Sequence, residues 1–319
     1  MNALVLLTYF LTLLVLELLY FKIAIKYNII DHPNERSSHS KTTIRGGGII
    51  FSIAMLLGPF HWGWKLGYFL AGLFLICFIS FVDDVKSVSN KVRIIFQLIS
   101  VALLFYQLNV FIFHYYWIVI GFILAIGIIN AINFMDGING ITGSYALITL
   151  ASLYYINEYK VSFTDSDYLL LPILSLVIFN FFNFRVIAKC FAGDVGSVGI
   201  AFILIFFLIK LISKTKDVSY LLLLLVYGLD TSTTIFFRIL RRENIFEAHR
   251  KHFYQFLVNE KSVSHLIVAS LYMLVQGIIN VVLLEITSNS NLTLMIFITM
   301  LVFTLIRLVI EKPGKLIKA

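Results

Sequence analysis

The sequence predicts an all-α fold, a polytopic membrane helix bundle of about eleven transmembrane helices that forms a single domain over residues 1–319. Of these residues, 60% are apolar and only 13% are charged, whereas a soluble domain usually carries about 25% charged residues. A helix that crosses a bilayer needs about 20 apolar residues, so this composition indicates many spans. The two cysteines, Cys77 and Cys190, lie far apart and predict no disulfide framework.

Apolar runs separated by polar turns define the individual spans. We break the long run 94–132 near residues 109–114, and the run 46–82 at the turn that contains Pro59. We interpret the first run as a retained helix because no small-residue cleavage site follows it. The predicted spans are 2–22, 46–61, 66–82, 94–111, 115–133, 141–157, 168–183, 196–212, 218–238, 264–284 and 291–310.

The distribution of basic residues predicts the topology. The odd-numbered loops and the C-terminal tail hold 20 of the 25 lysine and arginine residues, so the positive-inside rule places them in the cytoplasm and the N-terminus outside. Trp62, Trp64 and Trp117 fall in even-numbered turns, where an aromatic belt would lie. The net charge of +8 therefore indicates loop bias and contact with anionic lipid rather than with nucleic acid.

The first odd-numbered loop combines charged residues with three glycines. It contains Arg36, His39 and Arg45, and residues 46–48 are all glycine. We expect the glycines to let the backbone approach a ligand closely and to open a helix whose N-terminus favours phosphate. A solvated positive-inside loop is the alternative.

Asp83 and Asp84 stand at the predicted inner end of the third span. Two adjacent carboxylates beside an apolar helix repel each other, and a divalent cation or a basic partner would relieve that repulsion. On a helix their side chains point about 100° apart, which favours separate roles. A solvated pair at the membrane interface is the alternative.

A polar, glycine-rich break follows the fifth span and carries no lysine or arginine. It includes Asn133, Asp136 and Asn139, whose amide and carboxylate groups can bind hydroxyls, a base edge or a metal ion. Non-helical backbone at this depth is tolerated only where it lines protein or a water-filled cavity. We therefore expect a ligand site here.

The seventh loop carries Asn183, Phe191 and Asp194, the last between two glycines. Asp194 has two compatible interpretations. It fits the N-cap of the eighth span, and as a hard carboxylate it fits Mg²⁺ that bridges phosphates.

The ninth span and the loop after it carry the last polar cluster. Asp230 lies about two turns from Arg238, and this intramembrane carboxylate is either functional or paired with the arginine. His249 and His252, three residues apart, share a helix face beside Arg250. The positive surroundings favour a diphosphate over zinc, with a plain basic juxtamembrane helix as the alternative.

Four segments together resemble the motifs of the polyprenyl-phosphate N-acetylhexosamine-1-phosphate transferase family. The last segment, together with the first loop, resembles the O-antigen-initiating branch of that family. Asn139 departs from the pattern, since many relatives have an aspartate there. The segments, in the order of the family motifs, are Phe81–Asp84, Asn133–Gly137, Phe191–Ser197 and Ala248–Gln255.

The resemblance implies transfer of N-acetylhexosamine 1-phosphate from a UDP-sugar, with UDP-N-acetylglucosamine expected, to undecaprenyl phosphate. UMP would leave, and the product would initiate a cell-envelope polysaccharide such as the O-antigen of lipopolysaccharide. It implies Mg²⁺, or alternatively Mn²⁺, on Asp194 and Asp84, with Asp83 or Asp84 assisting attack. Phe191 would stack on uracil, and His249 and His252 would hold the diphosphate.

The resemblance also implies a wider substrate site in a bacterial inner membrane, open to the cytoplasm. The expected partners are undecaprenyl phosphate, the UDP-sugar and membrane lipid, without nucleic acid and with a homodimer left open. A transporter for a nucleotide sugar or another anion is the alternative, although transporters place polar groups near the bilayer midplane. The further substrate-binding residues would be Arg36, His39, Arg45, Asn133, Asp136, Asn139, Asn183 and Arg250.

Overall fold

The structure, a computed structural model, describes residues 1–31, 42–244, 250–285, 289–311 and 316, the side chains of 289–291 excepted. It is an all-α bundle, as predicted, with one small antiparallel ribbon of β1 (Ile30–Asp31) and β2 (Thr43–Ile44). The helices are α1 (Ala3–Lys26), α2 (Ile49–Leu57), α3 (Pro59–Trp62), α4 (Gly67–Val85), α5 (Asn90–Gln107), α6 (Tyr115–Met135), α7 (Ile141–Tyr159), α8 (Ser166–Asn183), α9 (Gly193–Thr215), α10 (Leu225–Leu240), α11 (Phe253–Asn259), α12 (His265–Glu285) and α13 (Asn289–Glu311).

Each of the eleven predicted spans corresponds to a helix or to a helix with a short helical neighbour. In the described part of the chain, eight helical segments are long and apolar enough to cross a membrane. The other predicted spans are α2 with α3, which is short, and α5 and α7, which carry more polar side chains. The chain is therefore an integral membrane protein with many spans.

The division of the run 94–132 is confirmed. Helix α5 ends at Gln107, a short 3₁₀ turn covers Val110–Ile112, and α6 begins at Tyr115. Asn109 makes the reversal with a left-handed backbone, φ 54°. As a result, the C-terminal ends of α4 and α6 lie at the same end of the bundle.

The polar helix ends gather at one end of the bundle, as the loop count predicts. Side chains from α4, α5, α6 and α9 meet there within hydrogen-bond distance. The opposite end has its own contacts, including His61 Nε2 to Asp167 Oδ2 at 3.0 Å and Gln107 Nε2 donating to Lys65 O at 3.2 Å.

Helix α9 is the central helix, surrounded by α2, α4, α6 and α7. Nearly every residue from Val195 to Leu208 is buried. Lipid-facing helices are also apolar, so it is the burial of α9 on all sides that places it inside the bundle. Because α9 is central, its N-terminal end is the common neighbour of the surrounding helix ends.

The ninth span is broken inside the bundle. A 3₁₀ stretch, Val218–Leu224, precedes α10 and leaves backbone groups without helical partners. Gln276 on α12 binds backbone groups at the break, because its Oε1 accepts from Val226 N and its Nε2 donates to Leu222 O, both at 2.9 Å. Irregular backbone at membrane depth is tolerated where neighbouring helices supply such partners.

We expect Gln276→Leu to lower the melting temperature of the purified protein in detergent. The change removes the acceptor of two buried donors, Val226 N and Tyr145 OH, and a buried donor without an acceptor costs about 1–3 kcal/mol. Thermal unfolding measures the effect. Leu274→Ala, on the exposed face of the same helix, is the matched control and should shift the transition far less. Equal shifts in both variants would contradict the role of Gln276.

Candidate active site

The Asp84 carboxylate, in the last turn of α4, lies against the N-terminus of α9. Its Oδ1 accepts hydrogen bonds from Asp194 N at 2.9 Å and from Arg45 Nε at 2.7 Å. Its Oδ2 accepts from Val195 N at 2.9 Å. The first amide groups of a helix lack intrahelical partners and carry partial positive charge. Ala192 occupies the N-cap position of α9 and has no side-chain oxygen that could accept from these amides. The Asp84 carboxylate therefore caps the helix instead.

The structure adds a structural role for Asp84 that the sequence did not predict. Both of its oxygens face donors of the protein itself, and the side chain is buried. Its expected roles as a base and as a metal ligand stay predictions. Asp83 has different partners, as the 100° separation predicts, because its Oδ1 accepts from Val88 N at 2.6 Å.

The glycines that open α2 contact the backbone at the start of α9, and their expected approach to a ligand stays a prediction. Gly47 N donates to Phe191 O at 2.8 Å, and Gly48 N donates to Ala192 O at 3.1 Å. A Cβ atom on Gly48 would lie 2.4 Å from Gly196 Cα. The missing side chains therefore let the first loop pack directly onto the start of α9.

Arg93, in the first turn of α5, joins the two carboxylates that keep some exposure to solvent. Its Nη1 lies 3.1 Å from Asp83 Oδ2, and its Nη2 lies 3.3 Å from Asp194 Oδ2. Sequence reasoning counted Arg93 only as a positive loop residue and missed this position. The signal was present, because the adjacent carboxylates required a cation or a basic partner.

The Asn133 amide, near the end of α6, completes the cluster. It lies 2.7 Å from Ser197 Oγ. With its nitrogen directed toward α9, it donates to Asp194 Oδ1 at 3.3 Å, and its oxygen accepts from Arg93 Nη2 at 3.2 Å. Three of the segments singled out in the sequence thus meet at one point.

Asp136 follows α6 directly and is half-buried. Burial raises the pKa of its carboxyl group to about 7, and the Asp84 carboxylate adds to the shift. A cation placed beside Asp136 would favour its charged form. This residue therefore suits contact with a positively charged group or with a hydroxyl of a ligand.

The side chains of Asn139 and Asn183 bind backbone groups in the structure, and their expected substrate-binding roles stay predictions. Asn139 Nδ2 donates to Arg185 O at 2.8 Å and Val186 O at 3.2 Å. Asn183 Oδ1 accepts from Gly140 N at 2.7 Å, and its Nδ2 donates to Cys190 O at 2.8 Å. An aspartate at position 139 could not donate to these carbonyls. The two amides fix the chain that leads to Phe191, a half-buried residue.

Another buried acidic residue, Asp230 on α10, anchors the start of α11. Its Oδ1 accepts from Phe253 N at 2.8 Å and lies 3.3 Å from His252 Nδ1. The pairing with Arg238 that we considered is wrong, because Arg238 contacts Glu243 Oε2 at 3.2 Å instead. Asp230 is fully buried and positions His252.

Helix α11 packs against the break that follows α6. Tyr254 OH donates to Phe134 O at 3.0 Å, which brings His252 next to the segment of Asn133 and Asp136. Arg250 instead lines a cavity of about 430 Å³ between α10, α11 and the end of α13. Of the remaining expected site residues, Arg36, His39 and His249 lie outside the described residues.

The donor set suits a cation that substrate helps to hold. Within the described ranges, no group of three or more His, Cys, Asp or Glu side chains forms a complete metal site. Mg²⁺ commonly binds through one or two carboxylates plus substrate phosphates and water. Asp194 and Asp83, now bridged by Arg93, provide such an incomplete set. Metal binding by Asp194 and by Asp84 stays a prediction, and the Asp194 carboxylate is the more exposed of the two.

Fold and site together define an integral membrane protein with a phosphate-compatible polar cluster at one end of its helix bundle. Residues 66–212, which carry Asp83, Asn133, Asp136 and Asp194, match the family model described as glycosyl transferase family 4. The central part of the chain is therefore similar to this family, in agreement with the resemblance of the motifs.

A curated relative matches almost the whole chain. It is a Bacillus subtilis (strain 168) protein described as a probable undecaprenyl-phosphate N-acetylglucosaminyl 1-phosphate transferase. The two are 25% identical over 330 residues, which cover 95% of this chain and 90% of the relative. The match to the relative thus extends well beyond residues 66–212 in the sequence.

We expect Asp84→Asn to destabilise the protein. Its new NH₂ group would face an amide donor of α9 or the Arg45 guanidinium, and a buried donor without an acceptor costs about 1–3 kcal/mol. Thermal unfolding in detergent measures the loss. Asp83→Asn is the control, since Asp83 is more exposed and supports no helix end. An unchanged transition for Asp84→Asn would refute the capping role.

Proposed function

We propose that this chain transfers an N-acetylhexosamine 1-phosphate group from a UDP-sugar to undecaprenyl phosphate. The observation that carries the proposal is the contact of Arg93 with Asp83 and Asp194 beside Arg45, at the end of a membrane bundle. Such a cluster suits a phosphate whose prenyl tail stays in the lipid. The name of the Bacillus subtilis relative supports UDP-N-acetylglucosamine as the donor.

The reaction exchanges one phosphoanhydride for another. An oxygen of the acceptor phosphate forms a bond to the β-phosphorus of the UDP-sugar. The bond from that phosphorus to the bridging oxygen breaks, and UMP leaves with the electron pair. Catalysis of phosphoryl transfer consists mainly of positioning and charge stabilisation, which are the tasks that fixed arginines and carboxylates perform.

The residues around Arg93 would act on the reacting phosphates. Arg45 and Arg93 present planar guanidinium groups that match phosphate oxygens in pairs. Asp83, the more exposed of the two adjacent aspartates, would orient the acceptor phosphate for attack. Asp194 would hold Mg²⁺, or alternatively Mn²⁺, which when bound neutralises charge on the diphosphate.

The nucleotide would lie toward α11 and the seventh loop. His252 would contact the diphosphate, since Asp230 fixes its ring and α11 packs next to Asp136. Phe191 would stack on the uracil ring from a backbone held on both sides by the first loop. Asp136 would accept a hydrogen bond from a hydroxyl of the sugar nucleotide.

In a cell, this activity would start a cell-envelope polysaccharide in a bacterial inner membrane. The basic loop bias supports a site that opens to the cytoplasm, where UDP-sugars are made. The branch of the family that initiates O-antigen synthesis is the pathway that the histidine-rich motif favours.

One observation favours transport of an anion as a second candidate, namely the break in the ninth span at residues 224–225. Transporters use such breaks at the midplane to bind substrate. Here, however, Gln276 already occupies freed backbone groups at the break. Uptake of a UDP-sugar by sealed vesicles that lack prenyl phosphate would support transport. If the protein releases UMP but the vesicles take up no UDP-sugar, transport is excluded.

We expect Asp194→Asn to lower the turnover number by roughly 100-fold or more, because it weakens charge stabilisation at the reacting diphosphate. The assay measures UMP release by purified protein from UDP-N-acetylglucosamine and undecaprenyl phosphate. Other UDP-sugars in the same assay identify the donor. Asp165→Asn is the matched control at the opposite end of the bundle, because asparagine caps a helix as well as aspartate does. Full activity of the Asp194 variant would refute the assignment.

Accessible cysteines should report the orientation of the site. We expect Ser162→Cys to react with a membrane-impermeant maleimide in intact cells, and Ser87→Cys to react only after the membrane is permeabilised. Ser87 is exposed beside Asp83 and Ser162 is exposed at the opposite end. Both natural cysteines are buried, so the unsubstituted protein is the background control. The reverse labelling pattern would invert the proposed orientation.

A further inference from the structure

The last helix, α13, is mostly surrounded by lipid, but its inner end is attached to the rest of the molecule through a buried arginine. Most of its apolar side chains, such as Phe297, Leu301 and Val309, are exposed on the bundle surface. Arg307 on the same helix is only 1% exposed. Burying a charged group at this depth is costly, so an arginine here indicates a specific partner.

The contacts of Arg307 are concentrated on α10 and on the segment before α11. Its Nη1 donates to Thr233 Oγ1 at 2.8 Å and Thr234 Oγ1 at 2.9 Å, and its Nη2 donates to Lys251 O at 3.2 Å. Its Nε donates to Glu311 Oε1 at 2.6 Å, which orients the guanidinium from within α13.

Arg307 also contacts the groups that fix His252. Its Nη1 lies 3.8 Å from Asp230 Oδ1, the oxygen that faces His252 Nδ1 and accepts from Phe253 N. The guanidinium lies between the rings of Phe237 and Phe253, 5.5 and 5.7 Å from their centroids. One side chain of α13 thus contacts the backbone, an aromatic ring and the carboxylate that determine the conformation of residues 250–253.

Packing alone does not fix residues 250–253. The cavity of about 430 Å³ adjoins this segment and is lined by Arg250, Lys251 and Gln255. A chain with empty space on one side can shift unless directional bonds hold it. The hydrogen bond from Arg307 to Lys251 O is such a bond.

We propose that Arg307 is a positioning residue for the sugar nucleotide, and that α13 is therefore part of the substrate-binding apparatus rather than only a membrane anchor. This inference rests on the proposed function. Arg307 does not contact the nucleotide. It holds residues 250–253 so that His252 meets the diphosphate of the UDP-sugar. The acceptor phosphate, bound near Arg93 and Asp83, does not depend on this contact.

The test compares Michaelis constants and product inhibition in variants of the full chain. For Arg307→Gln we expect the KM for the UDP-sugar and the inhibition constant of UMP to rise together by about tenfold, the effect of losing one hydrogen bond to a charged group. The KM for undecaprenyl phosphate should stay unchanged. Arg307→Lys should recover part of the affinity for UMP, and Glu311→Gln should show a smaller rise.

Two control variants separate positioning from a general loss of stability. Gln276→Leu destabilises the bundle elsewhere and should leave the KM for the UDP-sugar unchanged, and Leu305→Ala tests the lipid face of α13. The inference is overturned if Arg307→Gln, or Arg307→Lys where the glutamine variant does not fold, lowers the melting temperature without changing either constant for the nucleotide. Absence of UMP release from the unsubstituted chain would instead remove the proposed function itself.

Discussion

The buried carboxylate of Asp84 joins three parts of the chain that are far apart in sequence. It receives two amide groups of α9 and the guanidinium of Arg45. A charge at this depth is stable only when such donors surround it, because water cannot solvate it. The position of α9 relative to α4 and to the first loop is thereby fixed. Asp194 is the second residue of α9, so the location of its side chain is fixed together with the helix.

The polar side chains of the bundle divide into two groups by what they contact. Asn139, Asn183 and Gln276 bind backbone groups that the broken helices and loops leave open. Arg93 and Asp83 pair with each other, Arg93 also pairs with Asp194, and both keep some exposure. Only the second group can exchange its present partners for a ligand at little cost. This division, rather than polarity alone, separates supporting residues from those that act on substrate.

The sequence predicts most of the fold because hydropathy and charge bias respond to the membrane directly. All eleven spans are recovered as helices, and the grouping of Asp83, Asn133 and Asp194 at one end follows from counting loops. The partners within that end could not be derived in the same way. A rotation of one residue on a helix moves a side chain by about 100°, so hydropathy does not show that Arg93 turns toward Asp194. The capping role of Asp84 depends on a contact with an amide group 110 residues away. The sequence also does not show whether an asparagine side chain bonds to backbone or to a ligand, because neither role produces a distinct residue pattern.

The backbone contact between Gly48 and Gly196 has a consequence for how the protein is made. Gly48 and Gly196 lie almost 150 residues apart in the sequence, and a membrane protein emerges from the ribosome from its N-terminus onward. The first loop therefore cannot pack against its partner, the start of α9, until α9 has inserted into the bilayer. Until then, the Arg45 side chain would be hydrated. The packing of the first loop onto the start of α9 can therefore form only after α9 has been synthesised.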